Sequence, residues 1–257
     1  MARWRIGTVP YLVARPLTEG LASDPQVELT VAPPARLAEL LHAGELDVAL
    51  ASSVLATGPQ PLALWAGGPV IASAGPVRSV LLLLRPGVGA LAEVRRWIAD
   101  PHSRTGQALA GILLEGSGAV RVEADREDLF AAAELADADA VQAIGDPALA
   151  AAAAHPDWTV VDLGAEWYRR TGLPFVFAAW IGRPGFDPAS AAEPLAAAAA
   201  RGLARRDEFA VEGARTGPGD EAFYRRYLGE DLCYRLPEEQ VRASLREFDS
   251  RLGSLHR

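Results

Sequence analysis

Gly75-Pro76-Val77-Arg78-Ser79-Val80-Leu81-Leu82 is the stretch that decides the fold. From Val77 to Leu84 nearly every residue is apolar, as expected of a strand covered on both faces. A second such run spans Phe175 to Ile181. The two runs bracket a central segment that alternates helix and strand, so the chain on either side forms a separate lobe. The expectation is an α/β protein of two lobes, 1–77 plus 179–257 and 78–178, between which the chain crosses twice. Ser79 is the polar exception inside the first run. A buried hydroxyl left unpaired costs about 1–3 kcal/mol, so Ser79 needs a partner, either backbone or a ligand.

Outward from this stretch, Arg5 to Val9 and Val27 to Val31 read as strands, and Ala14 to Ala22 as a helix. Pro33-Pro34 opens the next helix, where a missing N–H costs nothing. Leu37, Leu40 and Leu41 give it one apolar face, and Gly44 ends it. Leu46 to Ala51 is a strand that delivers Ser52 and Ser53 at its carboxyl end, where open α/β sheets bind ligands. Residues 57–76 form a connection with one short strand. In the central segment, Arg95 to Ala99, Ala140 to Ile144 and Thr159 to Leu163 are strands. From Pro188 onward the pattern is helical, and Val241, Leu245, Phe248 and Leu252 mark one face of the last helix.

The 257 residues suffice for a sizeable core and carry a net charge of −8. No basic run, aromatic stacking motif or zinc spacing points to nucleic acid. Every basic residue besides histidine is arginine, so Schiff-base chemistry on lysine is excluded. The single cysteine, Cys233, rules out an internal disulfide. The start, Met1-Ala2-Arg3-Trp4, lacks the pattern of a signal peptide, and no stretch is apolar and long enough to span a membrane. The expectation is a cytoplasmic protein acting on a small molecule, with no metal and no cofactor. His42, His102, His155 and His256 are scattered, with no ligand-spaced pair among them. No G-x-S-x-G, P-loop or dinucleotide fingerprint is present.

The polar phrases that remain collect at strand ends. Ser103-Arg104-Thr105-Gly106 opens a helix, with Ser103 as its N-cap and free first-turn N–H groups suited to a carboxylate. A plain helix cap is the other reading. Gly145-Asp146-Pro147 opens another, with Asp146 as cap; this carboxylate favours helix stability and repels an anion. Tyr11 and Arg15 follow the first strand and serve either a pocket or ordinary packing.

Together these phrases resemble the chorismate dehydratase family of the futalosine route to menaquinone. The resemblance runs in order through Ile6-Gly7 to Pro16-Leu17, Leu37 to Leu50, Gly75 to Val80, Ser103-Arg104-Thr105, Ile144 to Leu149, Asp162-Leu163-Gly164 with Glu166-Trp167, and Thr171-Gly172-Leu173-Pro174-Phe175-Val176-Phe177-Ala178. It implies the type 2 periplasmic-binding-protein-like fold, with two crossover strands and a cleft between the lobes. It also implies loss of water from chorismate to give 3-[(1-carboxyvinyl)oxy]benzoate, with a substrate carboxylate as internal base. By the same resemblance Ser79 is a binding serine, Ser103 and Thr105 hold a carboxylate, and Ser52 and Ser53 form a polar strand tip. Tyr11, Val13, Gly145 and Asp146 complete the expected substrate-binding set.

Three positions depart from the family pattern. Val13 stands where an asparagine usually contacts substrate, Ala74 where an aspartate precedes G-P-V, and Ala56 near a usual glutamate. A valine cannot hydrogen-bond a substrate. Two further readings therefore stand beside the dehydratase: a non-catalytic binder of small carboxylates with the same fold, and 1,4-dihydroxy-6-naphthoate synthase.

Overall fold

A computed structural model describes residues 3–124 and 128–255. His256 and the first two residues of the expected leaderless start lie outside the described residues. Two five-stranded sheets are present. The first is built from β1 (Trp4–Thr8), β2 (Val27–Val31), β3 (Val48–Ser52), β4 (Val70–Ser73) and β10 (Phe175–Gly182), in the order β2-β1-β3-β10-β4. The second contains β5 (Val80–Leu84), β6 (Arg96–Ala99), β7 (Val120–Glu123), β8 (Ala140–Ile144) and β9 (Thr159–Asp162), in the order β7-β6-β8-β5-β9.

The sheets share one design. In each, four strands run in one direction, and the strand that follows a crossing enters antiparallel to its neighbours. β10 pairs antiparallel with β3 and β4, and β5 does the same with β8 and β9. Phe175 pairs with Ser73, so the second apolar run joins its sheet from its first residue, whereas the first run pairs only from Val80, opposite Ile144, and its Val77–Ser79 start belongs to the crossing rather than to the expected strand. The chain passes between sheets through 74–79 and again through 172–174. Residues in β3 and β5 are buried throughout, which accounts for the unbroken apolar sequence of β5 and of β3 up to Ser52 at its carboxyl end.

Helices flank both sheets: α1 (Arg15–Thr18), α2 (Pro34–His42), α3 (Thr105–Leu114), α4 (Leu129–Leu135), α5 (Gly145–Ala154) and α6 (Leu163–Thr171). The helix expected over Ala14 to Ala22 is instead two short pieces. Gly20, at φ +80°, ends the first and opens a 3₁₀ turn at Leu21–Ser23. β7 and α4 have no counterpart in the sequence reading. The carboxyl-terminal part is helical, through α7 (Ala192–Ala204), α8 (Arg206–Thr216), α9 (Glu221–Arg226) and α10 (Glu238–Leu255), with a π-helical turn at Tyr227–Asp231. Beside the second crossing, the Phe175 ring meets Trp167 of α6 and Phe248 of α10, each with centroids 5.0 Å apart. No helix among the described residues is long and apolar enough to cross a membrane.

Candidate functional site

A cavity lies where the carboxyl ends of the two sheets face each other. The first lobe lines it with Tyr11, Val13, Ser52, Ile71 and Phe177; the second contributes Ser103, Thr105, Ile144 and Gly145, and the first crossing Ser79. Its walls are mostly apolar with a few convergent hydroxyls, the usual make-up of a small-molecule site.

The lobes are in contact around this cavity. Backbone N–H groups of the first lobe at Leu12, Ala35 and Val54 donate to Asp146 Oδ2 (3.0 Å), His102 O (3.2 Å) and Thr105 Oγ1 (3.2 Å) of the second. All three donors sit in the first turn of a helical segment, where N–H groups lack intrahelical partners. Gly145, at φ +69°, completes the closure: a Cβ there would lie 2.5 Å from the Tyr11 ring.

The expected site residues divide into distinct roles. Ser52 and Ser103 line the cavity, and neither hydroxyl has a protein partner among the described residues. Ser103 is not the cap of α3. Arg104 occupies that position and no side chain caps the helix, because Ser103 falls one residue too early. The loop before α3 is held by buried Asp100, whose carboxylate accepts from His102 N–H and Ile144 N–H while its carbonyl accepts from Ser103 N–H. Thr105 is engaged by the protein. It accepts from Val54 N–H, and its proton is left for Ser53 Oγ at 3.5 Å, since Ser53 donates to Val176 O at 2.6 Å. Ser53 is fully buried and does not line the cavity. Val13 presents an apolar wall, and its carbonyl takes the Tyr234 hydroxyl at 3.0 Å.

Asp146 also differs from expectation. α5 starts at Gly145 after Ile144, so Asp146 lies inside the first turn and turns its carboxylate toward Leu12 rather than capping. Burial pushes this carboxyl above its ordinary range, against the single N–H it accepts.

Ser79 has the partner its burial demanded. Tyr227 Oη donates to Ser79 Oγ at 2.7 Å. The segment around it is clasped: Asp162, the cap of α6, accepts from Val77 N–H and Arg78 N–H, and Asp231 pairs with the Arg78 guanidinium at 2.8 Å. Arg78 adopts φ +63°, a left-handed conformation uncommon outside glycine. Tyr227, Tyr234, Asp100 and Asp231 escaped the sequence reading. The tyrosines sit in a helical tail where an aromatic residue looks like core, and nothing in their spacing sets them apart. Asp162 carried a signal, an acidic residue at a strand end directly before a helix. Among the described residues no group of three His, Cys, Asp or Glu side chains is placed to hold a metal ion.

Comparison with known proteins follows this geometry. The structure is similar to a protein of Archaeoglobus fulgidus, with a TM-score of 0.74 at 15% identity over 98% of this chain and 97% of the other. It is also similar to the periplasmic aliphatic sulphonate binding protein of Escherichia coli, with a TM-score of 0.63 at 15% identity over 100% and 88%. These likenesses show the fold, that of periplasmic binding proteins. In sequence the chain is 34% identical over 237 residues to a chorismate dehydratase of Thermus thermophilus, covering 86% of this chain and 84% of that one. A family profile described as menaquinone biosynthesis matches residues 4–253. With nearly its whole length matched in this way, the chain belongs to the menaquinone biosynthesis family.

Proposed function

We propose that this protein is a chorismate dehydratase, a hydro-lyase that removes water from chorismate to give 3-[(1-carboxyvinyl)oxy]benzoate. The observation that carries the reading is the 34% identity to the Thermus enzyme along most of both chains. The cleft is compatible with it. Chorismate carries two carboxylates on a small ring, and the cavity pairs apolar walls with hydroxyls from both lobes. A carboxylate fits at the start of α3, beside Ser103 and the free first-turn N–H groups, where the helix dipole favours negative charge.

Among the described residues no histidine or glutamate faces the cavity to act as base, and the sequence holds no lysine. The substrate's own carboxylate serves instead, taking the ring proton and returning a proton to the ring hydroxyl, whose C–O bond breaks so that it leaves as water while the ring becomes aromatic. The protein's part is to hold the ring in one orientation and exclude solvent, and orientation alone supplies about 7–11 kcal/mol in favourable systems. The reaction as written calls for neither metal nor cofactor, and its soluble substrate suits a cytoplasmic protein.

The second reading, a binder of small carboxylates without turnover, draws on Val13, which offers the cavity no polar contact. Incubation of purified protein with chorismate, followed by liquid chromatography and mass spectrometry, separates the two. Product lighter by one water is the expected result. Binding without product overturns the dehydratase.

A further inference from the structure

We propose that Tyr227 is a positioning residue for Ser79, fixing the serine hydroxyl as a donor aimed into the cleft. A hydroxyl has one proton and two acceptor sites. Tyr227 Oη fills one acceptor site of Ser79 Oγ at 2.7 Å. Among the described residues the serine proton then has one protein acceptor in reach, Val77 O at 3.5 Å, and that carbonyl already takes Ser79 N–H at 2.8 Å. At 3.5 Å a hydroxyl bond is long and weak. An anionic oxygen in the cavity, which Ser79 lines, is the better acceptor. A donor behind the serine also polarises its O–H bond and strengthens what it gives in front.

The surrounding geometry points the same way. Tyr227 is fully buried and does not line the cavity, so it acts through Ser79. Burial raises its pKa, which keeps the phenol protonated and donating. It opens the π-helical turn Tyr227–Asp231, a form concentrated at functional sites. The far end of that turn holds the neighbouring Arg78 through Asp231. Backbone and side chain at 78–79 are thus fixed from one element, more than packing alone requires.

The inference rests on the dehydratase reading for its ligand, and the test separates the two. kcat/KM for chorismate is measured on Tyr227→Phe, Ser79→Ala and the double variant, with melting curves for each. Each single change is expected to lower kcat/KM about tenfold or more. The double variant is expected to fall no further than Ser79→Ala, since Tyr227 has no other route to the ligand. Losses that multiply, or a Tyr227→Phe protein with wild-type kinetics, overturn the role. A second measurement leaves the tyrosine in place. With ¹³C at tyrosine Cζ, the Tyr227 resonance is expected to shift on saturation with chorismate in the wild type and to stay put in Ser79→Ala. A wild-type resonance that does not move overturns the role. A moving resonance without product overturns the dehydratase and keeps the positioning role. A wild type that neither binds nor converts chorismate overturns both.

Discussion

Val54 of the first lobe donates its backbone N–H to the hydroxyl of Thr105 in the second, across 3.2 Å. That hydroxyl is thereby a latch between lobes, and the α3 N–H groups beside it remain for an anion. Thr105→Val keeps the shape and removes the latch. A net hydrogen bond contributes about 0.5–1.5 kcal/mol, so ligand affinity is expected to fall about 3–10-fold. Small-angle scattering should show a less compact liganded protein. Thr105→Ser, which restores the hydroxyl, should behave as wild type in both.

Gly106 tests the anion site from its other side. A Cβ at this position would lie 2.4 Å from Ser103 Oγ and 2.9 Å from Gln142 Nε2. Alanine normally favours a helix over glycine by about 1 kcal/mol. Here Gly106→Ala must push Ser103 out of place, so affinity for chorismate is expected to drop at least tenfold with little or no gain in melting temperature. Calorimetric titration reads the first and a thermal scan the second. Unchanged affinity would show that the start of α3 does not meet the ligand.

How much of this was legible before the structure depends on the kind of signal. The two apolar runs, Val77–Leu84 and Phe175–Ile181, announced two lobes and two crossings, because a strand covered on both faces favours apolar residues. β7 was not legible: Val120–Glu123 is an edge strand largely exposed, with no buried face to impose a pattern. At the site, Ser79 was conspicuous as a polar residue in an apolar run. Its partner Tyr227 was invisible, since the contact spans 148 positions and a buried tyrosine in a helix reads as packing. Ser103 and Asp146 were expected to cap helices; α3 starts one residue later and α5 two residues earlier than those caps require, which changed what their side chains face.

Asp162 joins the end of the second sheet to the first crossing. It accepts from Val77 N–H, Arg78 N–H and Ala165 N–H. Asp162→Ala strands these donors together, and each buried unpaired group costs about 1–3 kcal/mol. A stability loss of about 3 kcal/mol or more is expected in urea denaturation, and a smaller one for Asp162→Asn, which keeps an acceptor oxygen. Equal and slight losses in both variants would show that the crossing does not depend on this carboxylate.

Asp146 makes folding stability depend on pH. Its folded-state pKa is raised above 3.8 by burial, so the native state holds its proton more tightly than the unfolded chain. The contribution is complete below the unfolded value and is lost as pH rises through the folded value. Urea midpoints of wild type minus Asp146→Asn, taken from pH 3.5 upward in steps of about half a unit, should therefore decline and then level off. A flat or rising difference would mean that the carboxyl is no more buried than in the unfolded chain.

Val13 lines the cavity, and we expect it to limit how well the cleft holds a polar ring. Its side chain is apolar wall, and its carbonyl is already fixed by Tyr234. Val13→Asn leaves that backbone bond intact and adds an amide to the wall. With the cleft empty, the amide is poorly partnered, and a loss of about 1 kcal/mol or more in stability is expected. With chorismate bound, the amide has ligand oxygens to meet, and kcat/KM is expected to rise about tenfold over wild type. The two effects have opposite signs, so a melt and a kinetic assay on one variant distinguish a gained contact from a damaged fold. A variant that is less stable and no faster would show that the ring does not approach this wall.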